Sequence, residues 1–360
     1  MHTGYSFAHD DGSGRRPQLA RLCSRFGLLP LAGRMRGWLG EDVRILAYHR
    51  VLESIEPDGF SFDLDLISAS AEAFKAQMLH VRRYFQPMRF DELADLLDHG
   101  KRPPRGALLV SFDDGYDDNY RVAFPILQEL GMSAMFFVST GHIDTGMPYP
   151  YDWLVYMLCS TGNQRLRIPE LVLDIDLPPE RAARRQLARW LLHHIKTYDA
   201  DTQRCVIANL EQQWNLPRAQ GHPQCRPMSW NDLRAMRAAG MEIGSHGVDH
   251  HMLSKLPPWR MYQEVENSKR QIECELGMRV DVLSYPVGGS DAYDPAVMHA
   301  ARAAGYRLAC SYRSGADAVT VETQYQLRRL PVERQMDAPW FEAMMALPEV
   351  FGYRSRLRNG

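Results

Sequence analysis

Asp113-Asp114-Gly115 and His246-x-x-x-His250 are the two places in the sequence whose residue types and spacing could do chemistry together. Two adjacent carboxylates at the end of an apolar run are costly to desolvate unless a cation or hydrogen bonds hold them. Two imidazoles four positions apart can reach one metal ion, whether a helical turn or a tight loop separates them. Two histidines and one carboxylate leave coordination positions open for water and substrate, as in catalytic sites and unlike closed structural ones. The second Asp is then free to act as a base. Each signal has a plain alternative: Asp-Asp-Gly also suits a surface turn, and the histidine pair alone is weak. His49, directly after a strand, is by default a packed core histidine. His251 is a poorer ligand candidate, because its side chain should point away from that of His250.

These residues need a frame. Ala107, Leu108, Leu109, Val110 and Phe112, broken only by Ser111, read as a strand buried on both faces that runs into Asp113. Further strands are expected at 44–48, 133–138, 241–244, 280–285, 306–311 and 326–332, and most of them are separated by helical stretches. Examples are 69–84, 90–97, the segment after Asn119 up to Gly131, 257–276, and a helix from Ser229 with Asp232 in a capping-box position. Strand, helix and strand within about 30 residues form a parallel unit. Seven strands suggest a closed or nearly closed β/α barrel more than an open, doubly wound sheet, a choice that rests on strand number alone, with the site at the carboxyl ends of the strands. Residues 142–227 break the rhythm and read as an inserted helical subdomain, with helices at 151–159, 178–196 and 200–214. Its aromatic residues Tyr149, Tyr151, Trp153 and Tyr156 either line a sugar-binding wall or form the insert's own small core.

The bulk properties exclude some partners. The 42 Lys and Arg nearly balance 44 Asp and Glu, so no net field points to nucleic acid. Six scattered cysteines without a CxxC pair favour a reducing compartment. With no signal peptide evident, a cytoplasmic location is expected. No run reaches the ~18–20 apolar residues that a membrane helix needs. Residues 1–40 read as an extension whose first 16 residues are disordered. Its stretch 21–39 is a short basic amphipathic helix, which either touches membrane peripherally or packs on the barrel, the latter being the default.

SFDDG, ending at Gly115, and EIGSHGVDH, ending at His250, resemble the first two motifs of the polysaccharide deacetylases of carbohydrate esterase family 4. The resemblance covers roughly 45–332 and implies an α/β fold, a distorted (β/α)7 barrel that agrees with the strand count, deacetylase-like over 41–350 with the helical insert as an addition. It also implies Asp113 as general base and Asp114, His246 and His250 as ligands of a divalent metal, usually zinc. Tyr285-Pro286-Val287-Gly288-Gly289 is similar to the third motif, which implies the Val287 backbone N–H as an oxyanion donor. Ser284 stands where that motif has the arginine that orients the base, so another group must hold Asp113. The late L-x-H motif, which carries a general-acid histidine, is replaced by Leu327-Arg328-Arg329. LAYHRV at 46–51 resembles the first strand of the exopolysaccharide branch of the family, which implies His49 as the acid. Tyr285, Trp153 and Arg50, which flank these motifs or the insert, are expected as substrate contacts.

The function so implied is metal-dependent hydrolysis of N-acetyl, or O-acetyl, groups of a polysaccharide or oligosaccharide, with release of acetate. Two other readings fit the altered motifs: a non-catalytic polysaccharide-binding or synthase-associated barrel, and a hydrolase of a small cyclic amide. The intact Asp-Asp-His-His set argues against the first.

Overall fold

The computed structural model describes residues 14–27, 29 and 42–353. Seven parallel strands make the frame: β1 (Asp42–Tyr48), β2 (Ala107–Phe112), β3 (Met135–Val138), β4 (Glu242–Ser245), β5 (Val282–Ser284), β6 (Leu308–Ser314) and β7 (Leu327–Pro331). Each pairs with the next, and β1 closes the ring by pairing with both β2 and β7, with Leu46 opposite Val110 and Leu330. The fold is the closed (β/α)7 barrel expected from the strand count, with short segments added at its margins: Asp317–Ala318 beside β1 and Gln86–Pro87 beside β2.

Alternation along each strand sorts residues between two cores. Leu46, Tyr48, Leu108, Val110, Phe112, Phe136, Ile243 and Leu283 point outward and pack under the helices. Val43, Ile45, Leu109, Phe137, Val282, Leu308 and Leu327 point inward and meet one another. The helix Phe90–Asp98 closes the amino end of this interior, its Phe90 and Asp91 N–H groups donating to the buried Glu242 carboxylate. The same alternation, within β6 and β7 and continued past the ends of β1 to β4, puts Tyr312, Arg329, His49, Asp113, Ser139 and His246 on the inward face, at the carboxyl mouth.

Several expectations need adjustment. The stretch after β3 is not helical throughout. Besides helices at Pro150–Ser160, Arg181–Ile195 and Ala200–Trp214, it contains an antiparallel hairpin, Arg165–Ile168 with Leu173–Asp176, whose Leu166 and Ile168 are buried. The apolar residues of the insert form their own core, which also takes in Phe60, Phe62 and Ile67 from the segment after β1. Near the amino end a helix spans Arg15–Arg25, beginning six residues earlier than expected. It packs on the barrel: Ala20 is buried and Arg21 Nε donates to Asp337 at 2.6 Å. The rest of the expected extension, residues 1–13 and most of 28–41, lies outside the described residues. Among the described residues no helix is long and apolar enough to cross a membrane.

Candidate active site

Asp114 is the meeting point. It follows β2 with φ 75°, and Gly115 follows with φ 69°, so the chain leaves the strand through two left-handed residues. A Cβ on Gly115 would lie 3.0 Å from Val138 Cγ1, so this turn needs glycine for space as well as for φ. The turn carries the Asp114 carboxylate to His246 Nε2 at 3.4 Å and His250 Nε2 at 3.2 Å. One donor atom from each of the three lies within 4.8 Å of the others. His246 Nδ1 donates to the Ser284 carbonyl at 2.8 Å, which fixes the ring and leaves Nε2 facing Asp114. His250 also has φ 57°. Two side chains in left-handed backbone, aimed at one point, are the kind of local cost that a site retains for function.

The donor chemistry suits a divalent cation. Burial pushes the Asp114 carboxyl up, but the hydrogen bonds from His246 and His250 outweigh it and hold the carboxyl well below its usual range. Burial also lowers the His250 imidazole, keeping it neutral and able to bind a metal. A second group with suitable atoms, Asp249, His251 and Glu264, is occupied otherwise. Glu264 accepts the Val248 and Asp249 N–H groups, and His251 Nε2 lies 3.0 Å from Arg260 Nη2, whose charge would repel a cation.

Asp113 faces a different partner. Arg329, on β7, holds it with two hydrogen bonds: Nη1 to Oδ1 at 2.8 Å and Nη2 to Oδ2 at 2.7 Å. The remaining Arg329 donors reach the Ser311 carbonyl at 2.9 Å, Ser284 Oγ at 2.9 Å and Ser111 Oγ at 3.3 Å. The small Ser284 leaves room for this guanidinium, which thus fills the place of the missing arginine from across the barrel. Burial alone would raise the Asp113 carboxyl, but Arg329 and then His246 more than offset it, so Asp113 stays ionised.

His49 is anchored at the mouth beyond β1. Its N–H donates to Ser68 Oγ at 2.9 Å, and its carbonyl accepts from Asn119 Nδ2 at 2.8 Å, at the start of a π-helical turn. Its Nδ1 lies 3.3 Å from Tyr312 Oη. Burial pushes the imidazole below its ordinary range, and Asp114 and Asp113 offset that only in part. Val287 sits just beyond β5 with φ 64°, a strained conformation for a β-branched side chain. The next residue must be glycine, because a Cβ on Gly288 would meet the Tyr312 backbone N at 2.6 Å.

The expected substrate contacts lie elsewhere. Arg50 is buried, pairs with Asp118 at 2.8 Å, donates to the Gln224 carbonyl and lies over the Tyr116 ring. Trp153 is in the insert's core, with Nε1 donating to the Leu216 carbonyl. Tyr285 is fully buried and donates to the Tyr325 carbonyl. Their polar groups are satisfied inside the protein, so burial corrects the expectation that they touch a glycan. Other residues were not singled out from the sequence. Arg329 and Tyr312 are two; a charged side chain inside a buried strand was the available signal for Arg329.

Residues 100–309, more than half of the chain, match the family model described as polysaccharide deacetylase. A Bacillus subtilis (strain 168) protein described as a polysaccharide deacetylase, YxkH, is 24% identical over 275 residues, which is 75% of this chain and 67% of that protein. Among solved structures, the Streptococcus pyogenes deacetylase PplD in complex with acetate superposes with a TM-score of 0.56 at 17% identity, over 84% of this chain and 96% of that one. IcaB from Ammonifex degensii gives 0.52 at 18% identity, over 85% and 97%. At these identities the structural likeness concerns the fold.

Proposed function

The chain belongs to the polysaccharide deacetylase family, and on that premise we propose that it is a metal-dependent hydrolase that removes N-acetyl groups from a polysaccharide or oligosaccharide and releases acetate. One observation carries this reading: three donor atoms for one cation converge beside a second, separately clamped carboxylate. Asp114, His246 and His250 would hold the cation, and an imidazole pair with one carboxylate suits zinc. Such a cation, when bound, polarises a carbonyl and lowers the pKa of water toward ~7.

The chain's own groups then have distinct tasks. Asp113, kept ionised by Arg329, takes the proton from the attacking water. The Val287 N–H donates to the oxygen on which negative charge develops. His49, held at Nδ1 by Tyr312, gives a proton to the leaving sugar amine through its other nitrogen. Because Asp113 and His49 sit beyond neighbouring, in-register strands, they approach the scissile bond from adjoining positions of the mouth.

The test is acetate release from a panel of N-acetylated and O-acetylated oligosaccharides by chelator-stripped protein before and after addition of zinc. Zinc-dependent release from N-acetylated members is expected. No acetate from any member, with zinc stoichiometrically bound, would overturn the proposal; release from O-acetylated members alone would turn it into an esterase.

A further inference from the structure

The insert touches the candidate metal centre at one hydrogen bond. Tyr149, directly before the helix Pro150–Ser160, donates its hydroxyl to the Asp114 backbone carbonyl at 2.9 Å. Tyr149 is buried, and four rings pack around its own: it stacks on His142 at 3.8 Å, lies parallel to Tyr151 at 5.0 Å, tilts against His250 at 5.2 Å, and meets Tyr116 edge-on at 6.0 Å, a contact that a phenylalanine at 116 would keep. The Ser139 hydroxyl lies beside that of Tyr149 and donates to the His246 carbonyl at 3.0 Å.

We infer that Tyr149 is a positioning residue for metal binding, holding the Asp114 peptide in its left-handed turn so that the carboxylate meets His246 and His250; this rests on the ligand assignment above. The argument is conformational. A left-handed aspartate is tolerated but disfavoured, and the Asp114 carbonyl is buried at the barrel mouth. Leaving a buried carbonyl without a donor costs about 1–3 kcal/mol. Without that donor the left-handed backbone of Asp114 loses an anchor, and relaxation of its own φ would swing the Cα–Cβ bond, and with it the carboxylate, away from the two imidazoles. The same ring packs against His250, so one tyrosine bears on two of the three ligands. The insert is therefore part of the metal centre, and the stack His142–Tyr149–Tyr151 is what transmits its position.

Tyr149→Phe removes one oxygen and keeps the stacked ring. Outer partners that orient metal ligands typically account for 10–100-fold in affinity, so we expect the zinc Kd, measured by chelator competition, to weaken at least tenfold. The visible spectrum of the cobalt-loaded protein should change as well. Tyr116→Phe is the control, because it also removes a buried tyrosine hydroxyl bond beside the insert, that to Asp152 Oδ2 at 2.6 Å. It should lower stability while leaving the zinc Kd within about twofold, so general loosening is separated from loss of positioning. A Tyr149→Phe protein with wild-type zinc Kd and cobalt spectrum overturns the inference, as does an equal loss of affinity in both variants. His246→Ala run in parallel distinguishes the two levels: if that variant still binds zinc as wild type does, the ligand set itself is wrong; if it does not, a normal Tyr149→Phe removes only the role of Tyr149. Should Tyr149→Phe not fold, Tyr149→Trp, which keeps a stacking ring and displaces the donor, is read against the same criteria.

Discussion

Arg329 and Asp113 meet end-on through two hydrogen bonds inside the barrel mouth, although 216 positions separate them in the chain. A buried guanidinium with all its donors engaged fixes the orientation of a carboxylate and keeps it charged. Truncating one member of such a pair leaves a buried charge and commonly costs about 3–5 kcal/mol. Arg329→Lys is the milder probe. It keeps the charge but cannot make both bonds to Asp113 while also reaching Ser284 and the Ser311 carbonyl. We expect zinc to stay bound, turnover to fall by roughly tenfold or more, and the acid limb of the kcat/KM profile to move to higher pH. The sign follows from the cause: Arg329 lowers the Asp113 pKa, so weakening that contact lets the pKa rise. An acid limb that stays in place would remove Arg329 from the control of Asp113.

Asp113 and His246 separate base from ligand. Asp113→Asn neutralises the base with the ligand set intact, so we expect stoichiometric zinc and a turnover lower by ~10² or more. His246→Ala should lose both zinc and activity while the circular dichroism spectrum stays that of the wild type, since a catalytic metal seldom supports a fold of this size. Metal analysis of the two variants side by side decides: zinc retained by His246→Ala, or lost by Asp113→Asn, contradicts the division of roles.

The frame was legible because barrel strands are buried on both faces, and stretches such as Ala107–Phe112 have few other places to go. The closeness of Asp114 to His246 and His250 followed once each was placed at the carboxyl end of its strand. Arg329 was harder. In Leu327-Arg328-Arg329 the two arginines are adjacent, and only the two-residue period of a strand tells them apart: Arg328 leaves the interior and pairs with Asp317, whereas Arg329 enters it. Read against a motif, the same residues signalled only a missing histidine. The hairpin was lost for a similar reason, since the alternation of Arg165, Leu166, Arg167 and Ile168 is too short to outweigh the helical stretches around it. Arg50 misled because an arginine next to His49 suggests a substrate contact, whereas its partner Asp118 is 68 positions away and buried with it.

His49 carries the least common assignment. With no histidine after Leu327, its imidazole is, among the described residues, the one that the fold sets beside Asp113 without drawing it into the ligand set, because Tyr48 pairs with Phe112 in register. We expect His49→Gln to keep the fold and the zinc, to lower turnover by ~10², and to flatten the basic limb of the pH–rate profile. Burial lowers this imidazole, so in the wild type its proton is lost as pH rises through a point below the ordinary histidine range. Tyr312→Phe, which removes the hydroxyl facing Nδ1, should shift that limb without abolishing it. Near-normal turnover and an unchanged limb in His49→Gln would return His49 to the role of a packed strand-end residue.

Asp152 offers a test of the insert that does not depend on catalysis. It is buried on the helix Pro150–Ser160, where Oδ2 accepts from Tyr116 at 2.6 Å and from the Cys225 thiol at 3.4 Å, while Oδ1 has no partner. Burial pushes its carboxyl up from 3.8 to about 7; Tyr116 and Arg50 pull the other way, Asp114 adds to the rise, and the hydrogen bond from Cys225 opposes it weakly. The folded protein therefore keeps a proton that the unfolded chain releases. A raised carboxyl of this kind contributes stability that is fully present below the unfolded pKa and is lost as pH climbs toward the folded one, here between about 4 and 7. The slope within that window is at most about 1.4 kcal/mol per pH unit. Asp152→Asn has nothing to release, so its stability should not carry that slope. Urea unfolding of both proteins, stripped of metal and measured at intervals from pH 5 to pH 8, should show the wild type losing stability relative to the variant up to about pH 7 and holding a constant difference above it. Stabilities that run parallel across the whole range would mean that Asp152 is already ionised in the folded protein at pH 5, and that Tyr116 and Arg50 outweigh its burial.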